Sequence, residues 1–203
     1  MNLLHLDSSI LGPSSVSRQL SAGIVARIAA AGDVTTTYRD LAATSVPHLS
    51  GAYLMAAQSQ ASEPAPAIAE DLAISSAVLQ EFLAADVVVI GVGFYNFGIP
   101  SQLKAWIDRI LVAGQTFRYG PDGRPVGLAG NKRVILGIAR GGFYRPDTPA
   151  AGAEHAETHL RTAFGFIGIN ALEVIAAEGI AMGPDQRAAA IAAAEQQIVA
   201  LAA

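Results

Sequence analysis

Val87-Val88-Val89-Ile90-Gly91-Val92-Gly93-Phe94-Tyr95-Asn96-Phe97-Gly98-Ile99-Pro100-Ser101 is the stretch from which the fold is read. Its four leading β-branched residues show no alternation of polar and apolar positions. They therefore suit a central parallel strand buried on both faces. Shorter runs of strand length lie on either side, at Asn2–Leu6, Val34–Tyr38, Val134–Ala139 and Ala171–Ile175. Between them the apolar residues adopt helical spacing. In Ser17–Ala30, for example, Leu20, Ile24 and Ile28 recur every four residues. Ile68–Leu83, Leu103–Leu111 and Glu154–Phe166 continue the pattern, and Asp185–Leu201 closes it after the helix-start signal Gly183-Pro184.

Alternation of strand and helix along the whole chain is the mark of an α/β doubly wound parallel sheet with helices on both faces. Five strands favour the flavodoxin-like order 2-1-3-4-5, and residues 1–203 are expected to form a single domain. Two segments exceed this plan. Leu41–Pro66 is rich in Pro and Gly, and Gly114–Gly130 carries the turn Pro121-Asp122-Gly123, which predicts a hairpin.

Composition narrows the function. The 203 residues include no Cys, which excludes disulfide scaffolds, thiolate metal sites and a cysteine nucleophile. A net charge of −4 argues against nucleic-acid binding. Hydrophobic residues make up 52%, yet no stretch reaches the roughly 18 apolar residues of a spanning helix, so no membrane partner is expected. Met1–Leu6 lacks a basic signal-peptide start and Asp7 interrupts it, so the expected location is cytoplasmic. Only 15% of residues are charged, against roughly 25% in ordinary domains, which hints at surface covered by a partner.

Ligands of open α/β sheets bind beyond the carboxyl ends of the strands. After the first strand, Asp7–Arg18 supplies Ser9, Ser15, Val16 and Ser17 at a helix start, where a phosphate could meet hydroxyls and unpaired amides. Ser14 or Ser15 acting only as a helix cap is the competing reading. Walker and Rossmann glycine signatures are both missing. After the third strand, Phe94, Tyr95, Asn96 and Phe97 offer apolar area and a polar handle to a planar ligand. After the fourth come Ala139, Arg140, Gly141 and Gly142. The glycines permit close backbone approach, and Arg140 faces either a ligand or a neighbouring carboxylate.

Taken in order, these loops resemble the FMN-dependent NADH:quinone oxidoreductase and azoreductase family over nearly the whole chain. The resemblance rests on Ser9 with Ser15-Val16-Ser17, on Gly93–Asp108, and on Thr116-Phe117-Arg118-Tyr119. It extends to Ala139-Arg140-Gly141-Gly142 and Gly165-Phe166-Ile167-Gly168. Gly93-Phe94 stands where the family has Pro-Met, and Ala139 where it has Ser. The resemblance implies one noncovalent FMN per subunit, its phosphate at the serine loop and its ring between the Phe94–Phe97 and Ala139–Gly142 loops. It further implies NADH or NADPH as donor, quinones and azo compounds as acceptors in a ping-pong cycle, and a homodimer. No catalytic acid or base is assigned, since the cofactor carries the redox chemistry.

Other readings are weaker. A flavodoxin-type electron carrier would present a strongly acidic face, whereas an FMN reductase would release its flavin. A phospho-receiver domain needs an aspartate where Gly91-Val92-Gly93 stands. His155 and His159 have metal-ligand spacing but no evident third ligand, so no metal is expected.

Overall fold

In a computed structural model, residues 1–58 and 65–202 are described. Five strands form one parallel sheet: β1 (Asn2–Asp7), β2 (Thr35–Asp40), β3 (Val87–Gly93), β6 (Arg133–Arg140) and β7 (Leu172–Glu178). Their spatial order is β2-β1-β3-β6-β7. The labels depart from the expected 2-1-3-4-5 because β4 (Phe117–Tyr119) and β5 (Pro125–Gly127) intervene in the chain as a separate antiparallel hairpin.

β3 explains why the opening run reads as continuous. Val88, Ile90 and Val92 enter one core, while Val87 and Val89 enter the core on the opposite face. Helices α1 (Val16–Ala29) and α6 (Pro184–Ala200) cover the second face. The first is covered by α3 (Pro66–Ala84), α4 (Ser101–Ile110) and α5 (Ala156–Phe166). Each large core aliphatic removed from water contributes about 1.5–3 kcal/mol, so this double burial is the main stabilising term.

Gly91 determines how closely α1 approaches the sheet. A Cβ there would lie 2.5 Å from Asp7 Oδ1 and 3.0 Å from the Ser17 carbonyl. The bare strand thus lets the first turn of α1 settle directly over the end of β3, which is where the serine loop must be to share a site with the aromatics.

Some expectations change. The segment Leu41–Pro66 contains an additional helix, α2 (Gly51–Gln58); its residues 59–64, including Pro64, lie outside the described residues, as does Ala203. Arg109, with no exposed surface, ties this excursion down. Its guanidinium donates to the Pro47 and His48 carbonyls, pairs with Asp71 at 2.9 Å and stacks 3.9 Å from the Tyr53 ring centroid. Strand β7 runs on to Glu178, past the expected Ile175, because Ala176 and Ala177 continue the pairing with β6. The β4–β5 hairpin docks through a backbone crossing. A Cβ on Gly127 would fall within the Ile167-Gly168 backbone, and Gly168 has a φ of +100°. Among the described residues, no helix is long and apolar enough to cross a membrane.

Candidate functional site

The loops after β1, β3 and β6 meet at the carboxyl edge of the sheet. Ser9 Oγ and Tyr95 OH lie 2.7 Å apart and join the first loop to the second. The Phe94 amide donates to the Ala139 carbonyl at 3.1 Å and joins the second to the third. The Phe94 and Tyr144 rings pack with centroids 4.6 Å apart.

Ser15 is a helix cap, since its Oγ accepts the Arg18 amide, and it also lies 3.0 Å from Ser17 Oγ. Capping and anion binding are compatible, because the hydroxyl proton stays available to a further acceptor. The Val16 and Ser17 amides have no acceptor among the described residues, and the first turn of α1 contains no acid. Such a helix start carries about half a positive charge. Ser9, Ser15, Val16 and Ser17 are all buried. Asp7 is the nearby charge that would repel a phosphate, but Ser21 and Tyr38 donate to it and Arg18 lies 3.7 Å away. Neutral hydroxyls, free amides and a compensated aspartate fit a single phosphate group.

Sequence reading missed the role of Arg18. It donates to the Ser9 carbonyl through Nε and Nη2 and grips Asp40 at 2.6 and 2.8 Å. The signal was available, because Asp7 and Asp40 end adjacent parallel strands in register and two neighbouring carboxylates require a cation. The Arg18 hydrogen bond, aided by the Ala42 and Ala43 amides, holds the Asp40 pKa below the usual carboxylate range despite burial. Burial and the adjacent Asp7 raise the Tyr38 phenol.

Residues Tyr95–Gly98 form a tight two-residue turn closed by reciprocal backbone hydrogen bonds. Both central residues have positive φ, +47° at Asn96 and +70° at Phe97. Asparagine tolerates this region, but an aromatic does so only under strain, and such strain gathers at functional sites. The turn borders a cavity of about 790 Å³, lined by Ile10, Phe94, Tyr95, Asn96 and the Gly98–Gln102 segment. Gly93, where the family has Pro, makes room for the Tyr95 ring, since a Cβ there would lie 2.9 Å from it.

Arg140 needs correction as a ligand side chain. It is buried, and its guanidinium binds Glu178 at 3.0 Å, Glu154 at 3.2 Å and Glu157 at 2.8 Å. Arg145 and Arg161 share Glu178 and Glu157, so three cations balance three carboxylates. Any contact to a ligand from this loop therefore comes from backbone, with Gly141 and Gly142 only half-buried at its tip. Among the described residues, His155 and His159 are not joined by a third His, Asp or Glu in a group that could hold a metal ion.

A five-stranded parallel sheet in the order β2-β1-β3-β6-β7, with helices on both faces, defines a flavodoxin-like protein. The sequence pattern of the flavodoxin-like fold family matches residues 1–202, and the chain belongs to that family. It is 60% identical to an FMN-dependent NADH:quinone oxidoreductase of Xanthomonas campestris pv. campestris, with 99% of each chain covered. It is also 61% identical to FMN-dependent NADH:quinone oxidoreductase 2 of Bradyrhizobium diazoefficiens, covering 99% of this chain and 98% of the other. Among solved structures, an FMN-dependent NADH-azoreductase from Bacillus anthracis str. Ames Ancestor, crystallised in complex with FMN, superimposes with a TM-score of 0.88. That pair is 26% identical, with 98% of this chain and 96% of the other covered.

Proposed function

We propose that this chain is an FMN-dependent oxidoreductase. It takes two electrons at a time from NADH, or NADPH, and delivers them to quinones and to aromatic azo compounds, whose azo bond is reductively cleaved. Donor and acceptor use one pocket in turn, in ping-pong order. The observation that carries this reading is the joining of three strand-end loops around the unpartnered Val16 and Ser17 amides.

In this reading Ser9, Ser15 and Ser17, with the Val16 and Ser17 amides, hold the FMN phosphate. Phe94, Tyr95, Asn96 and Phe97 flank the ring on one side, and the backbone of Ala139, Arg140, Gly141 and Gly142 on the other. Bound FMN supplies the two-electron chemistry. Residues of the chain position the reactants. Arg18 fixes the Ser9 carbonyl, the aromatic turn excludes water and gives planar reactants a stacking surface, and Asn96 serves the polar edge of the ring.

Residues 1–203 act as one FMN-binding domain, and the enzyme works in the cytoplasm as a homodimer. The low charge content and the exposed Met55, Phe97 and Tyr119 support a covered surface. Apoprotein titrated with FMN should quench flavin fluorescence to a one-to-one endpoint per chain. A protein that takes up no FMN at micromolar concentration overturns the proposal.

A further inference from the structure

The strained turn borders a second cavity, of about 690 Å³, whose chemistry is unlike that of the first. Gly98, Ile99 and Ser101 line both, so the two share a wall at the turn. The Phe97 carbonyl accepts the His155 amide at 3.0 Å, which fixes the turn to the start of α5 beside this second space. Its walls bring together His48, His155, His159, Lys104, Ser101, Thr158 and Thr162, and among the described residues no carboxylate lines it. Three of the four histidines in a chain of net charge −4 thus gather in one place.

The lining is biased toward donors. His159 Nε2 is buried with no hydrogen-bond partner among the described residues. Burial and the nearby Lys104 ammonium lower the His159 pKa, with Asp108 opposing. Lys104 pairs with Asp108 one turn further along α4, which engages one of its three N–H donors. Helix α4 begins here with Pro100 as an uncapped N-cap residue and has no acid in its first turn. The neighbouring start of α5 differs, since Glu154 caps it through the Glu157 and Thr158 amides.

We propose that this cavity is an oxyanion subsite, which holds the negatively charged substituent of a small aromatic reactant whose ring occupies the adjoining aromatic pocket. Lys104 and His155 supply the main charge-assisted contacts, with Ser101 and Thr158 as hydroxyl donors. The proposal rests on the redox reading of that pocket. Two reactants carry suitable oxyanions: an acceptor bearing a sulfonate or carboxylate, and a nicotinamide donor through its pyrophosphate.

The test uses FMN-loaded wild type, Lys104→Gln and His155→Gln, both at exposed positions where folding should persist. Steady-state rates are measured with NADH against 1,4-naphthoquinone and its 2-sulfonate. Removing one charge-assisted hydrogen bond at a part-exposed site lowers selectivity by about fivefold to tenfold. If the acceptor is the source, the ratio of kcat/KM for sulfonated over neutral quinone falls by that factor in each variant. If the donor is the source, KM for NADH rises by that factor while the quinone ratio holds. Equal or absent effects on all three reactants overturn the subsite. Calorimetric titration of the same proteins with naphthalene-2-sulfonate, against neutral 2-naphthol, reads binding without turnover. Tighter sulfonate binding that weakens in either variant supports the subsite, and no difference between the two ligands counts against it. Reduction of the neutral quinone by wild type tests the redox reading separately.

Discussion

Phe97 holds a left-handed conformation at φ +70° with about half of its surface exposed, 53%. A β-carbon in this region costs roughly 1–2 kcal/mol, and exposure returns little of that through burial. Strain at so exposed a residue supports the proposed role of Phe97 beside the ring. Phe97→Gly should relieve the strain and leave stability unchanged or higher by up to about 1 kcal/mol, while kcat/KM for quinone drops. Denaturant melts and steady-state kinetics check this, and a destabilised variant with full activity would refute it. The aromatic turn was legible in the sequence because aromatics clustered directly after a buried strand have few structural uses. The positive φ values were not, since closure of the turn depends on hydrogen bonds between Tyr95 and Gly98. Arg140 shows the opposite limit. A lone arginine beside two glycines fits a ligand or a carboxylate, and its partners are Glu154 just before α5, Glu157 in α5 and Glu178 in β7, none of them within its own loop.

At the scale of elements, α5 is fastened to the sheet by charge. Burial raises the Glu157 pKa, but hydrogen bonds from Arg140 and Arg161 outweigh it, and the net shift is downward. A carboxylate whose folded pKa is depressed contributes its stabilisation fully above its unfolded pKa of about 4.3. That contribution fades as pH falls through the folded value. Thermal melts from pH 7 to pH 3 should thus show a shallower acid-side decline in Glu157→Gln than in wild type. Parallel decline in the two proteins would show that Glu157 does not fasten the helix. Strands and long helices were legible from periodicity, because both faces of β3 meet apolar layers and α1 repeats its aliphatics every four residues. Helix α2 escaped notice because its ties are distant in sequence: Arg109 of α4 reaches Pro47, His48, Asp71 and Tyr53, and the Tyr53 hydroxyl lies 2.6 Å from Ser75 Oγ of α3.

For the whole molecule, the 15% charged content and the exposed apolar residues around the site argue for a second copy of the chain. Light scattering should give twice the 20.9 kDa chain mass at micromolar concentration, and a fully active monomer would defeat that part. The larger claim is that three strand ends, brought together through Gly91 and joined by Ser9, Tyr95, Phe94 and Ala139, form one redox pocket used twice. Anaerobic titration of the FMN-loaded protein tests it most directly. One equivalent of NADH per chain should bleach the flavin absorbance with no acceptor present, and one equivalent of quinone should then restore it. Flavin that bleaches only when donor and acceptor are present together, or never, would contradict the stepwise, two-half-reaction use of the pocket.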